Sequence, residues 1–192
     1  FNARNPVEAV PPDDEISNPY DMIAADGALW VTDGNRNQVY KVTPDGTITR
    51  VIDLSANHPV TTGLARTPDG GFITVELTPV PFPQAGGRVM RVEPDGNTSV
   101  LAQATTTATG VAVARDGTIY IVEHSTSLGQ PPFLSPGTGR VARLNEDGSL
   151  ETVVGGLTFP SAARFGPDGA LYVANFSVEG DGGQGEILRI EV

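Results

Sequence analysis

Residues 116–123 read Asp-Gly-Thr-Ile-Tyr-Ile-Val-Glu: a turn pair, five strand-forming residues and a carboxylate. The pattern occurs four times. Asp26-Gly27 leads into Ala28-Leu-Trp-Val-Thr-Asp33, Asp69-Gly70 into Gly71-Phe-Ile-Thr-Val-Glu76, Asp116-Gly117 into Thr118-Ile-Tyr-Ile-Val-Glu123, and Asp168-Gly169 into Ala170-Leu-Tyr-Val-Ala-Asn175. The steps between them are 43, 47 and 52 residues. A second Asp-Gly follows at Asp45, Asp95 and Asp147, each after a short apolar run: Val39-Tyr-Lys-Val42, Val89-Met-Arg-Val92 and Val141-Ala-Arg-Leu144. The fourth unit carries Ile187-Leu-Arg-Ile190 and then stops.

Each unit predicts strand, turn, strand, variable loop, strand, turn, strand. Asp-Gly suits tight hairpins because both central residues accept positive φ. No segment sustains a 3.6-residue period, so almost no helix is expected. Four antiparallel strands per 43 to 52 residues is the period of a β-propeller blade. The expected fold is therefore all-β, with blades at 18–57, 58–106, 107–157 and 158–192, the last lacking its outer strand. The innermost strands carry small residues, as crowding around an axis requires: Met22-Ile-Ala-Ala25, Gly63-Leu-Ala65, Gly110-Val-Ala-Val113 and Ala162-Ala163. Residues 1–17 are acidic and Pro-rich and read as a loop or linker.

Composition narrows the function. The chain has 192 residues, 12 Lys+Arg against 23 Asp+Glu, and a net charge of −11. Without a basic stretch this argues against nucleic acid and against an anionic membrane surface. No apolar run of about 18 residues is present to span a bilayer as a helix. Zero Cys removes disulfides, thiolate nucleophiles and Cys metal sites. A blade buries its faces only against neighbours. Four blades therefore call for completion by further N-terminal blades, by a second chain, or by closure on themselves.

Several stretches are similar to a known family: Asn18-Pro-Tyr20, Val75-Glu-Leu-Thr78 with Pro81-Phe-Pro83, Tyr120-Ile-Val-Glu123, and Leu171-Tyr-Val-Ala-Asn-Phe176 with Gly185-Glu-Ile-Leu-Arg-Ile190. Over 18–192 the chain resembles the C-terminal two-thirds of the ScyD/ScyE family of propellers, named from the scytonemin gene cluster of cyanobacteria. The Tyr-Val-Ala-Asp-type and Pro-Asp-Gly pieces are equally similar to NHL-repeat, gluconolactonase-like and virginiamycin-B-lyase-like propellers. The resemblance implies a six-bladed, exported (extracellular or periplasmic) ring, with two more blades before residue 1.

Asp33, Glu76, Glu123 and Asn175 end the second strand of each unit at matching positions. Ring symmetry would aim them at the central channel mouth, joined by Asp21. Such an oxygen shell suits Ca²⁺, which takes six to eight oxygens, and gluconolactonase-like propellers hold a divalent ion at a similar place. The alternative reading is that these side chains cap turns or pair with Arg. His58 and His124 are expected on the same face, as ligand-binding groups or as exposed loop histidines. The loops at 77–88 and 124–140 are Pro-rich, and Phe82 and Phe133 are expected at their tips, available to a partner or folded over the blade edge. The strand-C cations Lys41, Arg91, Arg143 and Arg189 are expected to pair between blades.

Two functions follow. One is a binding or scaffold module that recognises a protein, glycan or small molecule with loops on one face. The other is a metal-dependent hydrolase or lyase acting on lactones or similar small molecules.

Overall fold

In a computed structural model that describes residues 16–57, 59–130, 133–178 and 184–192, the short apolar runs form fifteen strands. They build four antiparallel sheets, each in simple sequence order. Blade 1 holds β1 (Pro19–Ala25), β2 (Ala28–Asp33), β3 (Gln38–Val42) and β4 (Ile48–Asp53). Blade 2 holds β5 (Thr61–Arg66), β6 (Phe72–Glu76), β7 (Gly87–Val92) and β8 (Thr98–Thr105). Blade 3 holds β9 (Ala108–Val113), β10 (Ile119–Glu123), β11 (Gly139–Leu144) and β12 (Leu150–Leu157). Blade 4 has three strands, β13 (Ala162–Phe165), β14 (Leu171–Asn175) and β15 (Glu186–Ile190). The architecture is a β-propeller arc. The expected His58 and most of the expected 1–17 linker lie outside the described residues.

Side-chain alternation tells which sheets have neighbours on both sides. Phe72 of β6 joins Trp30, Val39, Ile52 and Leu64 in the core between blades 1 and 2. Ile73 and Val75, pointing the other way, join Val111 and Ile121 between blades 2 and 3. In β10, Ile121 faces back and Tyr120 and Val122 face forward to Leu171 and Val173. Both strands are accordingly buried along almost their whole length, whereas β14 alternates buried and half-buried. Trp30 and Phe72 anchor the first interface, their ring centroids 4.3 Å apart.

The innermost strands pack β1 on β5, β5 on β9 and β9 on β13. Glycine permits the approach. A Cβ on Gly63 would lie 2.8 Å from Gly110 Cα, and one on Gly110 would lie 3.0 Å from Ser161 O. Threonine hydroxyls then bridge neighbouring blades: Thr32 donates to Thr62 O at 2.6 Å, Thr62 to Ala108 O at 2.9 Å and Thr109 to Pro160 O at 3.2 Å.

The turns differ from the expectation. Only Asp26-Gly27 has positive φ at both residues. In the other six repeat turns glycine alone does, at Gly46, Gly70, Gly96, Gly117, Gly148 and Gly169. These are three-residue hairpins, a type I turn followed by a left-handed glycine. At Thr43-Pro-Asp-Gly-Thr47, Gly46 N donates to Thr43 O and Thr43 N to Thr47 O. Proline at the second position presets φ for that turn.

The turn aspartate accepts the amide two residues on, as in Asp45 from Thr47 (3.1 Å), Asp116 from Thr118 (3.0 Å) and Asp147 from Ser149 (2.9 Å). Hydrogen bonds from Thr43, Thr118 and Ser149 respectively hold these three carboxyls below their ordinary range. At Asp53 burial pushes upward, but bonds from Ser55 and the charge of Arg50 outweigh it and the net shift is also down.

Two outcomes are expected. Gly63→Ala should destabilise by about 1–3 kcal/mol through backbone crowding, read as a lower urea midpoint. The depressed aspartates mean that the unfolded chain binds protons more readily. Stability is therefore complete above about pH 5 and lost as pH falls through the folded-state values. Urea midpoints at pH 7 and pH 3 should show that decline.

Candidate functional site

Asp33, Glu76, Glu123 and Asn175 do end β2, β6, β10 and β14, and all four are buried. The pleat decides where they point. Glu123 shares its face with Ile121, so it turns toward the preceding blade's side of the sheet and not toward the axis.

There Glu76, Glu123 and Asn175 each latch the strand that follows, and Asp33 latches the chain on either side of its hairpin. Asp33 Oδ1 accepts the amides of Asn18 (3.0 Å), Asn35 (3.2 Å) and Arg36 (3.0 Å), and Oδ2 accepts the Ser17 hydroxyl. Glu76 takes the Arg88 amide at 3.1 Å and its guanidinium in fork geometry, Nε at 2.9 Å and Nη2 at 2.7 Å. That bond raises the Arg88 pKa. Glu123 accepts Thr106 N at 2.7 Å and Arg140 Nε at 2.6 Å. Asn175 accepts Thr158 N at 2.9 Å and donates to Glu186 at 2.8 Å, the same latch with its polarity reversed.

An ionised carboxylate offers about four acceptor positions, and here protein donors hold most or all of them. The expected convergence on one metal therefore does not form. Among the described residues no three His, Asp or Glu side chains gather to hold an ion. The structure favours the reading in which these side chains cap turns and pair with arginine.

The other expected site residues are also displaced. His124 is buried between blades 3 and 4, stacked on Phe159 with centroids 5.2 Å apart and its Nδ1 3.0 Å from Pro160 O. It is not an exposed loop histidine. Phe82 and Phe133 are half-buried with positive φ, and Phe133 closes a small hairpin beside the Leu128–Leu134 bridge. The exposed large hydrophobic residue of the 77–88 loop is Val80.

The strand-C cations pair within their blades, not between them. Arg91 binds Asp69 and Glu93, Arg143 binds Glu151, Arg189 binds Asp168 and Glu191, and Lys41 lies over Trp30. Each strand-C side chain lies beside the turns and edges of its own sheet, which puts those acids nearest.

Among the described residues, Asp21 is the one expected site residue that the fold delivers to the axis. Its Oδ2 accepts Leu64 N of β5 at 2.9 Å, and its Oδ1 meets Arg164 Nη2 of β13 at 2.5 Å. Arg164 Nη1 donates to Ala163 O at 2.8 Å and reaches Val111 O of β9 at 3.5 Å. One ion pair thus ties all four inner strands across 143 positions of sequence. Beside it a cavity of about 170 Å³ opens among Ile23, Leu64, Ala65, Val111 and Phe165.

Arg164 was not singled out in the sequence. Its signal was a cation within an otherwise Ala-rich inner strand. A hard divalent cation does not fit here. Asp21 is the one carboxylate of this pair and already faces a guanidinium, while the Thr62 and Thr109 hydroxyls donate to carbonyls.

No family model and no curated relative matches the chain. Solved structures do. It is similar to a gluconolactonase of Xanthomonas campestris (18% identity, 88% of this chain and 57% of that one, TM-score 0.62). It is also similar to regucalcin of Agrobacterium tumefaciens, a calcium-binding protein (21%, 86% and 55%, 0.59). A third is an inactive virginiamycin B lyase of Staphylococcus aureus with quinupristin (19%, 96% and 58%, 0.59). At these identities the likeness shows the propeller fold. The chain spans a little over half the length of each.

If the latches are structural, Arg140→Ala strands a buried carboxylate and should cost about 3–5 kcal/mol by urea unfolding. Replacing both partners, Glu123→Met with Arg140→Leu, should recover most of that loss.

Proposed function

We propose that this chain belongs to an exported six-bladed propeller of ScyD/ScyE type and serves as a binding module, reading a small polar ligand or glycan at the axial mouth. Further N-terminal blades or a second chain would complete the ring. The observation that carries the reading is the Asp21–Arg164 pair. Arg164 keeps nearly half of its side chain exposed while backbone carbonyls fix its position, and a β5 amide fixes Asp21. A fixed carboxylate beside a fixed guanidinium offers an acceptor and donors to a ligand rich in hydroxyls.

The hydrolase or lyase reading, with lactones as substrates, draws support from the likeness to gluconolactonase and lyase propellers. Calcium enters neither reading through Asp21, Asp33, Glu76 or Glu123, whose carboxylates are already committed to protein donors.

Calorimetric titration with glucose, gluconate and δ-gluconolactone separates the two. Saturable binding without turnover is expected. Asp21→Asn and Arg164→Gln should each weaken it about tenfold, the value of one charge-assisted hydrogen bond. Lactone turnover that Asp21→Asn abolishes would put the enzyme in its place.

A further inference from the structure

The repeat supplies its own controls, and one blade departs from its sisters. Arg91, Arg143 and Arg189 occupy the same strand-C position, paired across the ladder with Ile73, Tyr120 and Tyr172. In blade 2, Arg91 folds onto the turn aspartate Asp69 at 2.9 Å and onto Glu93 at 2.5 Å. In blade 4, Arg189 does the same with Asp168 at 2.9 Å and with Glu191. In blade 3, Arg143 turns the other way, to Glu151 of β12 at 2.6 Å. Two residues differ. Glu151 lies opposite Arg143 where Ser99 lies opposite Arg91, and Asn145 stands two residues after Arg143 where Glu93 and Glu191 help hold the sister arginines.

Beside Arg143 lies a groove of about 530 Å³ at the junction of blades 2 and 3, within the size range of small-molecule sites. Leu101, Ile119 and Leu144 form its half-buried aliphatic floor. Asp116 and Glu146 stand on it, both exposed. Asp116 accepts from Thr118, and neither carboxylate has a cationic partner among the described residues. Arg143 also borders the groove but is neutralised by Glu151, and the exposed Arg115 lies outside its lining.

We infer that this groove is a binding site for a small organic cation. Its ammonium group is received by Asp116 and Glu146, and its aliphatic body lies on Leu101, Ile119 and Leu144. Charge complementarity selects the sign: two uncompensated carboxylates on a chain of net charge −11 repel anions and attract amines. The aliphatic floor selects a ligand with an apolar body over a bare inorganic ion. The site lies at the Asp-Gly turns and is independent of the axial mouth, so either can fail alone.

The test is a ¹⁵N amide titration of the whole chain with cyclohexylammonium, beside cyclohexanol and cyclohexanecarboxylate at equal ionic strength. Cyclohexylammonium should give saturable shifts at Gly117, Thr118, Leu144 and Gly148, diminished by added salt. Glu146→Gln and Asp116→Ser should each weaken it about threefold, as partly screened ion pairs do. Glu151→Ala lines no part of the groove, yet frees Arg143 to take Asp116 as its sisters do, and should weaken binding likewise. No saturation by about 50 mM, where even a weak millimolar site would fill, overturns the inference. So does equal binding of all three probes, or wild-type affinity in both Glu146→Gln and Glu151→Ala.

Discussion

How closely the inner strands can approach governs the rest of this molecule. Gly63 sits against Gly110, and Gly110 against Ser161 and Ala162, at separations that leave no room for a side chain. At that distance one blade's threonine hydroxyls reach the next blade's carbonyls, and the sheet faces interlock around Trp30, Phe72, Ile121 and Leu171. Asp21 can then touch a β5 amide and Arg164 can span from β13 to β1. A wider ring of inner strands would keep the sheets and lose both the rungs and the axial pair.

The fold was legible because its cause is local and repeated. Asp-Gly pairs and Val/Ile/Tyr runs at a steady period specify hairpins, and the consecutive apolar pairs Phe72-Ile73 in β6 and Ile121-Val122 in β10 already announce strands covered on two sides. Side-chain destinations were less legible. Topology brings the ends of β2, β6, β10 and β14 to one end of the arc, but pleat parity turns Asp33, Glu76 and Glu123 into their own sheets, and parity relative to the axis is a tertiary fact. The Asp21–Arg164 pair was out of reach for another reason: its partners are 143 positions apart and share no motif. The turn type was misjudged because Asp-Gly serves both as a whole two-residue turn, at Asp26-Gly27, and as the end of a three-residue one, as at Asp116-Gly117, and the pairing register alone separates them.

Repetition also shows how a conserved scaffold acquires local chemistry. One latch is built as carboxylate with backbone amides, carboxylate with guanidinium, or amide with carboxylate, according to whether Gln38, Arg88, Arg140 or Glu186 faces it near the start of the next strand. The framework tolerates these exchanges because it asks only that the buried group be satisfied. Specific surfaces arise where an exchange leaves something over, as when Glu151 draws Arg143 from the turn that its sisters guard.

The sequence contains one tryptophan and one lysine, and the fold places them together, Lys41 Nζ 5.7 Å from the Trp30 ring at the first interface. Indole emission therefore reports solely on the seam between blades 1 and 2. Circular dichroism averages over every strand. In a quasi-linear array whose sheets hold one another only pairwise, a lag between the two signals would measure how independently the far end of the arc melts.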